Sequence, residues 1–263
     1  MLKVHGVHGS PFVRKVLIVL EMKGIPYEIV TQMPFTGDAK YKALNPLGRI
    51  PTLVDGELTL GDSKVICRYL ESAYPNVAVY PAQVGDRAMA DWYDDFASGA
   101  VADLAAGIFF QRYMRPRAFK QEPDEALIST IIEKKLPPLL DYLEGQLPAT
   151  GYLFGHFTLA DLTIVSPFIN AGYAGYHVSA DTWPKLAALI ARVRDEPAVV
   201  TMLDKEAKAL GLVYRHDTDG LTRFSFLHFS AFHGSDEGVN TIATSVCGIE
   251  IFRNCENCFG STF

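Results

Sequence analysis

Cysteine is scarce: only Cys67 lies in the first four fifths of the chain, and Cys247, Cys255 and Cys258 crowd its end. That distribution excludes a disulfide framework and fits a reducing compartment. Positive charge is not in excess either. The formal net charge of -6 argues against a nucleic-acid partner, which calls for clustered Lys and Arg. No apolar run reaches the roughly 20 residues that a membrane-spanning helix needs. The start, Met1-Leu2-Lys3-Val4-His5, opens a strand pattern instead of a charged and then apolar leader. The expectation is a cytoplasmic protein beginning at Met1, with no membrane partner. Repeats and low-complexity tracts are also absent. What is present is a chain of 263 residues, 49% of them apolar, enough for a proper core in one large domain or two ordinary ones.

Leu2 and Val4 alternate with polar neighbours, Gly6 and Gly9 break the pattern, and Val13, Val16, Leu17 and Leu20 then recur at helical spacing over Pro11–Lys23. Gly24 supplies the left-handed stop. Residues 26–30 alternate again as a second strand. The strand-helix-strand unit lacks a Gly-rich dinucleotide fingerprint. A short helix is predicted over 36–44, and strands over 52–54 and 58–60 with Asp55-Gly56 as the hairpin signal between them. Asp62-Ser63 opens a helix carrying Val65, Ile66, Tyr69 and Leu70, which ends at Tyr74-Pro75. From 85 to 210 strand signals vanish. Helices are predicted over 86–113, 123–143 and 158–171, then over Pro184–Arg194 and Pro197–Leu210, each set off by Pro or Gly.

Ser10-Pro11 at a helix start has a plain reading as a cap, with the serine side chain accepting from free N–H groups and proline at the first helical position. It also has a chemical one, because a hydroxyl at the positive end of a helix, behind a Gly-rich loop, suits an anion such as a thiolate. Ile50-Pro51 enters a strand straight from a loop, a plausible cis-proline site that leaves a backbone edge open to a peptide. Asp62-Ser63 offers a carboxylate, a hydroxyl and free N–H groups at a second helix start. That set suits a ligand with both an amino and a carboxylate group.

With these residues in this order, residues 1–211 resemble a cytosolic glutathione transferase: an α/β thioredoxin-like N-terminal domain (1–77) followed by an all-α helical domain (85–211). The Ser-Pro-Phe-Val start is similar to the serine-dependent tau pattern, while "ALNPLGRIPTLVDGELTLGDSKVICRYLE" is closer to the phi and theta-like one, so no class is assigned. The resemblance implies that Ser10 hydrogen-bonds the glutathione sulfur and that the Ile50 backbone, beside Pro51, pairs with the cysteinyl unit. Asp62 and Ser63 would hold the γ-glutamyl end, and Arg49 would reach the glycyl carboxylate. The basic residue common earlier in the family is replaced around Thr36-Gly37, with Lys40 or Lys42 as substitutes. Thr158 and Asp161, three residues apart ahead of an apolar run, form a capping-box pattern that the family shares, and both are read as folding determinants.

The implied reaction is attack of the glutathione thiolate on a small, mostly apolar electrophile held between the domains, with Phe12, Phe109, Phe110 and Tyr113 as candidates for its wall. Glutathione is the substrate and no further cofactor is expected. Serine in place of the Cys-Pro-Phe of omega-like and glutaredoxin-like relatives disfavours thiol-disulfide exchange. Glutathione-dependent peroxidase or isomerase activity, and a non-catalytic binding or assembly module, remain the alternatives. The family implies a homodimer. Asp94 and Asp95 would then be candidates to reach the neighbouring subunit's glutathione, against the plain reading of a solvated helix face. His5, His8 and His156 have no metal-ligand spacing. Residues 212–263 fall outside the resemblance, show no clear amphipathic period and are expected to be an extension without regular structure. A zinc site on His228, His233, Cys255 and Cys258 has plausible pair spacing but is disfavoured, because the ligand order and surroundings do not fit a zinc finger.

Overall fold

In the computed structural model, which describes residues 1–216 and 222–226, the N-terminal alternation becomes β1 (Leu2–Gly6) and the apolar spacing after it becomes α1 (Pro11–Lys23). Gly24 ends α1 at φ 63°, its N–H directed to the carbonyls of Leu20 and Glu21. Glycine adopts that backbone without a Cβ clash. There follow β2 (Tyr27–Thr31), α2 (Ala39–Leu44), β3 (Thr52–Asp55), β4 (Leu58–Gly61) and α3 (Ser63–Ala73). The sheet order is β2-β1-β3-β4, with β1 parallel to β2 and β3 antiparallel to both β1 and β4. This is the mixed four-stranded sheet of a thioredoxin-like unit. Two details depart from expectation. Asp55 pairs with Leu58, so the turn is Gly56-Glu57 and Asp55 is itself a strand residue, held by the Tyr69 hydroxyl at 2.7 Å. On α3 the buried apolar residues are Ile66, Cys67 and Leu70, while Val65 is 46% exposed.

The second half is helical throughout its regular structure up to Leu210. Where the sequence predicts one helix over 86–113, the chain runs on from α4 (Val84–Phe96) through a π-helical turn (Ala97–Val101), α5 (Ala102–Phe109), a second π turn (Phe110–Met114) and α6 (Arg115–Phe119). A third π turn (Ile131–Lys135) joins α7 (Glu125–Thr130) to α8 (Leu136–Gln146). Such turns leave no mark in apolar spacing, and they occur often at functional sites. Then come α9 (Leu159–Tyr173), α10 (Pro184–Arg194) and α11 (Pro197–Leu210). Every residue of α9 is buried. Its start carries the expected capping box: Asp161 Oδ2 accepts from the Thr158 N–H at 2.9 Å and from Thr158 Oγ1 at 2.8 Å, and Oδ1 accepts from the Leu153 N–H at 2.9 Å.

The two halves meet at α1, which packs against α3 on one side and α9 and α11 on the other. The sequence shows one apolar stripe there, yet residues 13–20 are all buried, Arg14 and Lys15 included. Both cations find distant carboxylates. Arg14 makes a two-pronged pair with Glu206 on α11 (2.8 and 2.7 Å), and Lys15 Nζ lies 2.6 Å from Asp94 on α4. The Tyr173 hydroxyl adds a bond to Glu206 at 2.9 Å.

Beyond α11, the tract expected to lack regular structure begins with an antiparallel ribbon, β5 (Leu212–His216) and β6 (Thr222–Phe226). The overlooked signal was Asp219-Gly220, a turn dipeptide lying between the two strand sequences. His228, His233, Cys255 and Cys258 lie outside the described residues. Among the described residues no helix is long and apolar enough to cross a membrane.

Candidate functional site

The strand register brings the three sequence signals to one end of the sheet. His5 is opposite Thr52, and Thr52 is opposite Gly61. The loop after Gly6 that leads to Ser10, the Ile50-Pro51 step before Thr52, and Asp62-Ser63 after Gly61 therefore leave the sheet in one row. Close packing keeps the row tight. A side chain on Gly6 would meet Val13 Cγ2 at 2.6 Å, and one on Gly61 would meet Asn45 Nδ2 at 2.9 Å.

Ser10 is the N-cap of α1, in extended backbone geometry, and its Oγ accepts from the Val13 N–H at 3.4 Å. An oxygen that accepts the cap bond still has its own proton to donate outward. The cap reading and the chemical reading are therefore compatible in the same geometry. The Ile50–Pro51 peptide is cis. Two residues that sequence reasoning missed hold this loop. Tyr41 donates to the Arg49 carbonyl at 2.6 Å and its hydroxyl lies 2.8 Å from Thr52 Oγ1. Asn45 Nδ2 donates to the same carbonyl and the same hydroxyl, both at 3.0 Å. The available signal was weak: a tyrosine and an asparagine four residues apart at a helix end, just before a proline. Burial raises the Tyr41 hydroxyl above its ordinary pKa, which keeps it a neutral donor.

Asp62 stands at φ 71°, unusual for a residue with a side chain, and its carboxylate accepts from the Lys64 and Val65 N–H groups at 2.8 and 3.4 Å. Ser63 follows as the first residue of α3 and is buried. Positive φ in a non-glycine residue, retained beside a candidate site, is the kind of strain that functional positions carry. Arg49, Lys40 and Lys42 are all exposed. Arg49 lies close enough to Asp103 on α5 to lower that carboxyl's pKa, although burial pushes it up more. Lys40 and Lys42 sit on α2, whose approach is tied to the Arg49 loop by the Phe35 N–H to the Gly48 carbonyl at 2.8 Å.

Asp94 is not the solvated or subunit-reaching group weighed from sequence. It is 1% exposed and paired with Lys15. Asp95 is exposed and pairs with Lys64 at the start of α3, a hydrogen bond that holds its carboxyl below the usual range. His5 is half-buried beside Tyr41, and burial lowers the pKa of both His5 and His8. His156 lies on an exposed loop.

The aromatic wall is assembled in part. Phe12 borders a narrow crevice at the domain seam with Ser98, Ala102, Thr163 and Pro167. Phe109 and Phe110 lie further along the same helical run, about 10 Å from Ala102 at 1.5 Å per residue. Phe109 stacks on Tyr113 with ring centroids 4.8 Å apart. Tyr113 itself is a correction: at 6% exposed it backs the wall and does not form its face, with its hydroxyl donating to the Leu210 carbonyl at 2.7 Å and Arg117 over its ring. Cys67, the one cysteine among the described residues, is fully buried, and burial pushes its thiol up to about 12. It has no thiolate to offer.

Known proteins resemble this chain in sequence and in fold. Residues 4–78 match the family model described as the glutathione S-transferase N-terminal domain, and residues 109–206 match the one described as the C-terminal domain. Glutathione S-transferase 4 of Zea mays is 32% identical over 198 residues, 71% of this chain and 87% of that protein. The crystal structure of glutathione transferase F7 from Populus trichocarpa superposes with a TM-score of 0.68 at 25% identity, over 78% of this chain and 99% of that one. Glutathione S-transferase-I bound with lactoylglutathione gives a TM-score of 0.68 at 25% identity, over 77% and 98%. With both halves matched by the paired domain models, the chain belongs to the glutathione S-transferase family.

Proposed function

We propose that the protein binds glutathione across the row Ser10, Ile50-Pro51, Asp62-Ser63, stabilises its thiolate, and transfers the glutathionyl group to small, mostly apolar electrophiles. The observation that carries this reading is the Ser10 hydroxyl at the start of α1, already accepting the cap bond from Val13 and so left as a donor toward the row. A free thiol titrates near ~8.5, so only a few per cent is nucleophilic at neutral pH. A donated hydrogen bond and the helix N-terminus both favour the anion. Attack then forms a sulfur–carbon bond at the electrophile while the electron pair leaves with the displaced group, and Ser10 acts without a covalent bond of its own. Asp62 and Ser63 hold the γ-glutamyl end, the Ile50 backbone pairs with the cysteinyl unit, and Arg49 or Lys40 meets the glycyl carboxylate. Phe12, Phe109 and Phe110 face the co-substrate. Glutathione serves as substrate, no other cofactor takes part, and the protein works in the cytoplasm. The ligand class is supported by the related structure bound with lactoylglutathione. The decisive test is thiolate absorbance of enzyme-bound glutathione against pH. A midpoint below the free value supports the reading, and absence of binding ends it.

The same reading includes a homodimer. Val65 on α3 and Met89 and Trp92 on α4 are 46%, 40% and 49% exposed, beside the Arg68–Asp91 pair that links the two helices at 2.9 Å. Large apolar groups left exposed on two adjoining helices can supply a contact surface. Sedimentation of the wild type is expected to give a dimer and Trp92→Arg a monomer. A wild-type monomer removes this part of the proposal.

A further inference from the structure

Asn170 on α9 is 1% exposed, and its Nδ2 donates to the carbonyl of Gly9 at 2.7 Å. One turn earlier, Ser166 Oγ donates to the carbonyl of Pro11 at 2.9 Å while accepting from Arg14 Nη1 at 3.1 Å. The carbonyls of the residues on both sides of Ser10 are thus gripped by one helix of the other domain, from two positions that share a face.

Packing alone does not explain the asparagine. Its Oδ1 is buried with no hydrogen-bond partner among the described residues, and an unsatisfied buried acceptor destabilises the fold. Leucine has the same branching at Cγ and no polar atom to leave unpaired, but it is bulkier and would strand the buried Gly9 carbonyl. What the amide adds is the bond to Gly9. That residue stands at φ 89°, and Leu210 of α11 closes over it, 3.0 Å from where a Cβ would be. The loop is therefore held from the helical domain by a hydrogen bond and a lid of apolar carbon, directly before the serine.

We infer that Asn170, assisted by Ser166, is a positioning residue for Ser10: by fixing the Gly9 and Pro11 carbonyls it aims the serine hydroxyl at the sulfur of bound glutathione. This rests on the glutathione reading of the site. The helical domain then governs thiol activation as well as co-substrate binding. The ionisable groups around the loop are His8 on the loop itself, Arg14 on α1, Tyr173 on α9, and Lys205 and Glu206 on α11. All of them are present in both the wild type and a variant at residue 170.

The test compares Asn170→Leu and Ser166→Ala with the wild type and Ser10→Ala, reading melting temperature, the titration of bound glutathione, and the pH dependence of kcat/KM. Asn170→Leu is expected to fold but to melt lower than the wild type, because it strands the Gly9 carbonyl. Its bound thiol should also titrate about one unit higher, with kcat/KM near pH 6.5 reduced about tenfold and the deficit closing at alkaline pH. KM for glutathione should change less than about twofold, and Ser166→Ala should show a smaller shift in the same direction. A purely structural asparagine gives the lower melting temperature with an unmoved thiol titration, and that overturns the inference. If Asn170→Leu does not fold, an unshifted thiol in Ser166→Ala overturns it. A shift that Ser10→Ala abolishes and Asn170→Leu leaves intact removes this inference alone, whereas a wild type that binds no glutathione removes the reading of the site and the inference together.

Discussion

Ser10→Ala is expected to bind glutathione yet leave its thiol titrating near the free value of about 8.5, with kcat/KM at neutral pH falling by roughly 100-fold. In the proposed reading the hydroxyl is the side-chain donor to the sulfur, and the remaining pull of the α1 N-terminus is a weaker, more diffuse effect. The sign fixes the shape of the profile. A donor that stabilises the thiolate lowers the thiol's pKa, so its removal is felt below that pKa and fades as solution pH rises through the free value. Wild-type and variant rates should therefore converge at alkaline pH. Because Ser10 also accepts the cap bond from Val13, the variant should lose about 1 kcal/mol of stability. That loss alone, with an unshifted thiol titration, would falsify the catalytic assignment and leave Ser10 as a cap.

The largest effect on stability is expected at Glu206. Its replacement by alanine strands Arg14, which is fully buried and loses both of its carboxylate bonds, and leaves the Tyr173 hydroxyl without this acceptor. Breaking a buried pair from one side costs about 3–5 kcal/mol, a large part of the roughly 5–15 kcal/mol by which a domain is stable. In the wild type burial works against the Arg14 charge, and Glu206 and Tyr173 outweigh it; without Glu206 the guanidinium still does not escape by shedding its proton, because arginine keeps its charge in proteins. Urea unfolding should show the loss as a lower midpoint. The double variant Arg14→Met with Glu206→Leu should recover most of it, since removing both charges removes the stranded one. A double variant no better than Glu206→Ala would mean that the pair itself, and not the uncompensated charge, supplies the stability.

Much of this molecule was legible in its residues, and the part that was not shares one cause. Element order and the bounds of α1, α10 and α11 followed from apolar spacing and from the punctuation of Ser10-Pro11, Gly24, Pro184 and Pro197. The three site segments were found because each is a local backbone event: a cap, a proline before a strand, a cap again. What escaped is non-local. Arg14 and Lys15 carry no local sign of burial, and only their partners, 192 and 79 residues away, account for it. Asp94 was misread for the same reason. Asn170 sits inside an apolar helix where nothing in its neighbourhood points to Gly9, 161 residues earlier. Tyr41 and Asn45 are closer in sequence to the loop they hold, but hydrogen bonds to a backbone carbonyl carry no pairwise signature.

The charges at the seam also bear on where this protein can be cut. An isolated piece ending near residue 77 would keep Arg14 and Lys15 on α1 but leave behind Glu206 and Asp94, and the partner piece would keep two carboxylates facing an emptied surface. Neither half is a portable module. The boundary between the two halves is a change of architecture and not a division of labour, so shuffling one half onto another scaffold succeeds only when the acidic residues travel with the cations they neutralise.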